Sequence, residues 1–551
     1  MTEIEAMSIG DNSGLKRKDT VEDDALNADN DLVPANFNQQ NPGQENTELE
    51  PPNKRTQLDV ADQPSSDASQ QISATFQSAT GEVAGPTLRL PTHITPQQLN
   101  ILLNQLLEKL GKSLEEKLPY TFQVGEAEIL RSLDADVLAK GTQSTEDSLT
   151  IIYHPQAVFR VRAVTRCSST LAGHTEAILV VRFSPDGRHL ATGSGDTTVR
   201  IWDLLTEMPR FTCMGHTNWV LNLEWSPDGR YLASGSMDNT VRVWDPLTGK
   251  AVSGPLKGHR QWITSLAWEP AHINSEQPRL ATASKDKTVR VWDCKMKVTR
   301  FTLAGHTATV TCVRWGGGGA TGNPQGVIYT ASQDRTIKLW NPATGSLIMT
   351  LNGHAHWVNS ITLSTDYALR TGPFDHTCPK LETIGNVQEE ALKRYRSALN
   401  SSGPDGAERV ITGSDDFTMF MWKPFQSNKP IERMTGHQKL VNHVMFSPDG
   451  RFVASASFDN SVKIWDGVTG KFIRNLRGHV GSVYQVAWAG DGRMLVSASK
   501  DSTCKVWDPR TGKIKVNLPG HLDEVYALDW SPAGDKVASG GKDRTLKLWR
   551  Y

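Results

Sequence analysis

The stretch GHTEAILVVRFSPDGRHLATGSGDTTVRIWD (Gly173–Asp203) opens on Gly-His, closes on Trp-Asp, and between them runs three short apolar-alternating segments separated by turn residues. It recurs along the chain. Gly-His stands at 173/174, 215/216, 258/259, 305/306, 353/354, 436/437, 478/479 and 520/521, and a Trp closes each unit at 202, 244, 292, 340, 422, 465, 507 and 549. The Gly-to-Trp distance is 29 residues in five units, 34 and 35 in two, and 69 in the fifth. Each unit also has an Asp six residues before its Trp (Asp196, Asp238, Asp286, Asp334, Asp416, Asp459, Asp501, Asp543). Seven have Ser two positions before that Asp, as in Ser194 and Ser236, and the eighth has Gly541. A unit this short cannot bury an apolar face alone, so a fixed period of this kind implies stacking on neighbours.

The pattern resembles the WD-repeat β-propeller, whose four-stranded blades recur about every 40–45 residues. Eight units imply an all-β, eight-bladed propeller. In such a blade the loop entering the first strand and the turn between the second and third lie on one face, so each His and Asp are expected to meet there. The first two units then give the sets His174, Ser194, Asp196, Trp202 and His216, Ser236, Asp238, Trp244. His, Ser and Asp together invite comparison with a catalytic triad. Eight copies without a nucleophile elbow argue instead for a buried Asp–His–Ser–Trp hydrogen-bond network that pins a turn in each blade.

Two irregularities carry more information. The last unit stops at TLKLWRY without a fourth strand, and VTRCSSTL (Val164–Leu171), ahead of the first Gly-His, is expected to supply it and close the ring. The fifth unit is interrupted at about 365–408 between its first and second strands, on the face opposite the Gly-His loops. There VQEEALKRYRSAL reads as a charged helix with Leu392, Tyr395 and Leu399 on one side, and a loop of this length is expected to be a docking element.

Upstream, residues 1–71 form an acidic tail rich in Asn, Gln, Ser and Pro, expected to be disordered because it lacks apolar area to offset chain entropy. Its KRK (Lys16–Lys18) and PNKR (Pro52–Arg55) are short basic groups of nuclear-import type. Residues 72–157 read as a small α+β domain of ubiquitin-like build. Two β runs flank TGEVAG, a helix starts at Thr95 with Pro96 first and Gln98 completing a capping box, and YTFQV (Tyr120–Val124) and SLTIIYH (Ser148–His154) add strands. Leu99, Leu102, Leu103, Leu106, Leu107 and Leu110 make one helical stripe expected to pack on that sheet. The propeller then occupies 158–551.

No apolar run approaches membrane-spanning length and the N-terminus is acidic and polar, which leads one to expect an intracellular protein. Six scattered cysteines with no CxxC pair read as reduced thiols rather than zinc ligands or disulfides. The net charge of −1 divides into −10 over 1–72, −2 over 73–164 and +11 over 165–551 (−10 − 2 + 11 = −1). A mildly basic body tolerates a nucleic-acid-rich partner. Lys285, Arg335, Lys500 and Lys542, near the blade turns, are the candidate phosphate contacts. With no phosphate loop, metal cluster or unique nucleophile, the sequence gives an enzyme no foothold.

The small domain, the join LTIIYHPQAVFRVRAVTRCSSTLAGH, the eight repeats and the fifth-unit phrase HAHWVNSITLSTDYALRTGPFDHT together closely resemble the Notchless family of ribosome-assembly factors. The resemblance implies a nuclear, mainly nucleolar and nucleoplasmic factor. It would act on precursors of the large ribosomal subunit, with pre-ribosomal proteins and rRNA as partners. It further implies that the ubiquitin-like domain is gripped by the metal-ion-dependent adhesion site of midasin, an AAA-type ATPase, through a carboxylate in a Ser-Thr-Glu-Asp loop. Here that residue is Glu146, with Asp147 as the rival ligand. No intrinsic cofactor is implied, and the Mg²⁺ would belong to the partner, where an incompletely held hard cation accepts one more oxygen. A WD-repeat scaffold or substrate adaptor in signalling is the competing expectation, because propellers serve many functions.

Overall fold

The computed structural model describes residues 71–551 except 79–80, 111–118, 126, 139–147, 157–158, 319–324, 380 and 402–406; the expected tail, up to residue 70, lies outside them.

The small domain is a five-stranded mixed sheet crossed by one long helix. In chain order it has β1 (Gln71–Ser78), β2 (Leu88–Pro91), α1 (Pro96–Lys109), β3 (Tyr120–Val124), β4 (Ala127–Glu128), α2 (Leu133–Asp136) and β5 (Leu149–Pro155). The spatial order is β2-β1-β5-β3-β4, with β1 and β5 parallel at the centre. Alternation in β1 sends Ile72, Ala74 and Phe76 inward, where they meet Leu99, Leu103 and Leu107 of α1. The helix begins where its cap requires: Gln98 Oε1 accepts the Thr95 N–H at 3.0 Å, and Thr95 Oγ1 accepts the Gln98 N–H. The leucine stripe ends one turn earlier than its spacing suggests. Leu110 is the C-cap and stands half exposed.

Beyond the small domain, the described residues form eight four-stranded antiparallel sheets, one for each repeat. Blade one shows the plan, with strand a Ile178–Phe183, b His189–Ser194, c Val199–Asp203 and d Met208–Cys213. Strand b pairs with a and c and is packed on its face by the next blade, which explains its small residues. A Cβ on Gly193 would lie 2.8 Å from both Val180 Cγ1 and Val220 Cγ1. Strand c carries the repeat's Trp into the space between blades, and Trp202 is 1% exposed.

The eighth blade is completed from the other end of the repeat array. Strand β6 (Arg166–Leu171) pairs antiparallel with Leu546–Arg550, matching Leu171 to Leu546 and Arg166 to Arg550, and Thr165 N–H donates to the Arg550 carbonyl at 2.7 Å. Val164, just ahead of this strand, is fully buried against blades seven and eight.

The interruption of blade five folds back on the ring. It contains α3 (Asp366–Thr371) and α4 (Val387–Ser401). Tyr395 and Leu399 of α4 are buried and Leu392 is partly buried, all three against strands of blades four and five. The short α3 shares a pocket with first-strand side chains of other blades, among them Arg182, Glu224, His443 and Asp529. Its Arg370 forms a two-pronged ion pair with Asp529 of blade eight, at 3.0 Å for both prongs, and Asp366 faces Arg314 of blade four at 3.7 Å. Asp529 also accepts the Phe183 N–H of blade one at 2.8 Å. One insertion thus ties together blades that are far apart in sequence.

Candidate functional site

The expected His–Asp pairs form in all eight blades. His174 Nδ1 is 2.7 Å from Asp196 Oδ2, and His216 Nδ1 is 2.8 Å from Asp238 Oδ2. A carboxylate only accepts, so Nδ1 carries the proton, and in the neutral ring Nε2 is then the acceptor. The hydroxyl that serves Nε2 is Thr192 Oγ1 at 2.8 Å, and the same oxygen accepts the Trp202 indole N–H at 2.9 Å. In blade two this hydroxyl is Ser234, at 2.8 Å from both His216 Nε2 and Trp244 Nε1.

Ser194 and Ser236, named from the sequence as members of the network, are therefore displaced from it. Ser194 Oγ donates to the Glu176 carbonyl at 2.9 Å and accepts the Asp196 N–H, and Ser236 does the same with Asn218 and Asp238. Thr192 and Ser194 point to the same face of strand b, two residues apart, and only the inner one reaches the indole. The missed signal is countable. A hydroxyl residue stands ten positions before every one of the eight Trp residues (Thr192, Ser234, Thr282, Thr330, Thr412, Ser455, Ser497, Ser539), whereas the outer Ser fails at Gly541.

Burial opposes the charge on Asp196. The hydrogen bonds from His174 and Thr198 outweigh it and hold the carboxyl well below the ordinary carboxylate range. The other seven carboxyls shift the same way, with their own His as the strongest opposing partner. A hydroxyl hydrogen-bonded to an acceptor imidazole and an indole inside a packed blade is a turn lock. It has no substrate access.

The basic candidates on this face are partly spoken for. Lys285 Nζ sits 4.4 Å over the Trp262 ring, Lys500 faces Glu524 at 3.7 Å and Lys542 faces Asp523 at 3.6 Å. Arg335 is exposed, on a turn residue with φ +69°.

Glu146 and Asp147 lie outside the described residues. What is described is the strand their loop enters. Leu149, at the start of β5, pairs with Ala74, while the other end of β5 meets the propeller. There Arg451 Nη1 donates to Thr121 Oγ1 at 2.5 Å, Arg493 Nη2 donates to Gln156 Oε1 at 2.9 Å, and Val161 N–H donates to Asp491 at 2.9 Å. Arg510 adds an ion pair with Glu128 at 3.4 Å. His154, buried beside Arg451, is pushed down to about 3, first by burial and then by that guanidinium. None of these seam contacts was read from the sequence, since they join segments more than three hundred residues apart.

All six cysteines are free, and no cluster of His, Cys, Asp and Glu able to hold a metal occurs among the described residues. Burial pushes the Cys213, Cys294, Cys378 and Cys504 thiols up to about 12.

Comparison with known proteins agrees with this geometry. The WD domain, G-beta repeat family matches at residues 165–203, 207–245, 251–293, 297–341, 428–466, 470–508 and 512–550. It passes over blade five, whose first two strands the insertion separates. The NLE (NUC135) domain family matches residues 72–136. A crystal structure of the computationally designed protein Ika8 aligns with a TM-score of 0.53 at 26% identity, covering 69% of this chain and 98% of that one. Protein Notchless of Drosophila melanogaster is 50% identical over 383 residues, 69% of this chain and 75% of its own length. The Notchless protein homolog of Arabidopsis thaliana is 52% identical over 393 residues, 71% and 79%. Ribosome assembly protein 4 of Saccharomyces cerevisiae is 48% identical over 417 residues, 73% and 79%. With an NLE domain ahead of a WD-repeat propeller, and identity near one half to these relatives along most of its length, the chain belongs to the Notchless family.

Proposed function

We propose that this protein is a non-enzymatic assembly factor for the large ribosomal subunit. In this reading the propeller docks on the pre-ribosomal particle and the small domain is the handle by which a midasin-type AAA ATPase removes it. The observation that carries the reading is the 48% identity over 417 residues to a protein named Ribosome assembly protein 4. The structure supplies what a handle needs. The small domain is fixed to blades six and seven through Arg451, Arg493 and Arg510, so a pull on it is passed to the ring instead of being absorbed by a loose linker. Leu149, the first residue of β5 after the Glu146 loop, is about 20 Å along the strand from Pro155 beside the Arg493–Gln156 contact.

Glu146 would complete the coordination of the partner's Mg²⁺, and a carboxylate one methylene shorter would fall short of it. The test is capture of the full chain by the purified midasin adhesion domain, with Mg²⁺ and with EDTA. Metal-dependent capture lost in both Glu146→Ala and Glu146→Asp is the expected result. Undiminished capture of both variants would shift the role to Asp147 or another surface. Failure of the unaltered chain to bind, together with no cosedimentation with large-subunit precursors, would favour the signalling scaffold.

A further inference from the structure

A cavity of about 310 Å³ lies where three parts of the chain meet: the end of β5 with the linker after it, helix α4, and the turns between strands a and b of blades six and seven. Four arginines and three aspartates are among the residues that line it. Arg451, 7% exposed, donates to the Thr121 hydroxyl, and Arg394, on α4, donates to the Gly372 carbonyl at 3.3 Å. Both partners are neutral oxygens. Arg493 and Arg510 line the same space.

The carboxylates in the wall are committed to their own turns. Asp449 accepts from the Ser447 hydroxyl and from the Arg451 N–H at 3.2 Å. Asp491 accepts from the Arg493 N–H at 3.0 Å and the Val161 N–H at 2.9 Å. Asp375 accepts from the Thr377 N–H at 2.9 Å and the Thr377 hydroxyl at 2.6 Å. These bonds hold each carboxylate in its turn, while the charge of Asp375 still acts on Arg394 and that of Asp491 on Arg493. Burial lowers the pKa of Arg394 from its ordinary value, against the opposing pull of Asp375 and Glu390.

A guanidinium is a planar fork whose geometry matches phosphate oxygens. We propose that this cavity binds a compact phosphate-bearing anion with two or more negative charges, held by Arg394 and Arg451, and that the bound anion ties the small domain, the insertion and the ring together. Phe159 and His376, stacked at 4.0 Å, form an aromatic part of the wall. Nothing in this site depends on the assembly role proposed above.

The experiment is calorimetric titration of the full chain with tripolyphosphate in buffered physiological KCl. One saturable site is expected, and Arg394→Gln weakens it roughly tenfold or more, the loss typical of one charge-assisted contact. Arg451→Gln also cuts the seam, so a second variant leaves the seam intact. Ser397→Glu places a carboxylate on the exposed rim of the cavity and is expected to weaken binding by a similar factor. Lys393→Glu, whose side chain is 78% exposed and which does not line the cavity, leaves affinity unchanged. No saturable heat overturns the proposal, as does equal weakening by Lys393→Glu and Ser397→Glu, which would indicate diffuse attraction only. A short oligouridylate that displaces tripolyphosphate and loses binding in Arg394→Gln would overturn the small-anion assignment in favour of an RNA backbone.

Discussion

Replacing Thr192 by Val keeps the shape of a fully buried side chain and removes one oxygen. That oxygen donates to His174 Nε2 and accepts from Trp202 Nε1, so the change strands one buried acceptor and one buried donor at once. Each such group costs about 1–3 kcal/mol, giving about 2–6 kcal/mol for the substitution. Ser194→Ala also removes a hydroxyl two residues away, yet blade eight has Gly541 at the equivalent place. Its lock is intact, with His521 2.8 Å from Asp543 and 2.7 Å from Ser539, and Trp549 2.8 Å from Ser539. Ser194→Ala is therefore expected to cost only about 1 kcal/mol. An eight-bladed ring need not unfold in one step. The readout is accordingly local: amide hydrogen exchange across Val199–Asp203 by mass spectrometry. Thr192→Val speeds exchange there by roughly one and a half to four decades, taking 1.4 kcal/mol per decade. Thr192→Ser stays near the unaltered rate, since Ser234, Ser455, Ser497 and Ser539 do the same work in other blades. The assignment is refuted if Ser194→Ala loosens blade one more than Thr192→Val does.

Other outcomes follow from buried charges. Asp529→Ala removes the carboxylate shared by Arg370 and the Phe183 N–H and strands a guanidinium; a loss of about 3–5 kcal/mol is expected, read as faster exchange in both blade one and blade eight, and exchange confined to blade eight would contradict the bridging role. His154 has a folded pKa of about 3 against about 6.5 unfolded. The unfolded chain thus binds more protons between those values, so stability is complete above about pH 6.5 and lost as pH falls toward 3. The loss reaches about 2 kcal/mol at pH 5. His154→Leu should flatten the small domain's melting temperature between pH 7 and 5, and an unchanged slope would exclude His154 as its source.

The period of the repeats was legible because each blade needs the same lock, so Gly-His, Asp and Trp recur whatever else varies. The start of α1 was legible for a similar reason: the capping box is a contact between Thr95 and Gln98, three residues apart. Strand β6 could be named because an odd strand left at one end of a ring needs a partner at the other. The inner hydroxyl was misassigned because residues two apart on a strand share a face, and spacing alone does not say which reaches the indole. Leu110 was placed in the helical stripe because periodicity does not mark the cap. The seam arginines and the bridging pair Arg370–Asp529 were out of reach, being set by distances in space between segments with no shared pattern. The expectation for Glu146 rests on family resemblance alone.

Ring closure also sets a schedule for synthesis. Strand β6 is made early, and its partner begins 375 residues later (Leu546 against Leu171, 546 − 171 = 375). At about 5–20 residues per second, β6 waits on the order of 20–75 s on the translating ribosome with its edge unsatisfied. An idle strand edge is a template for wrong pairing. Its sequence, RCSSTL, is mostly polar, and even in the finished ring most of its side chains face water. A nascent chain can therefore leave this strand waiting in solvent at low risk of aggregation, a tolerance that a Val- or Ile-rich closing strand would forfeit.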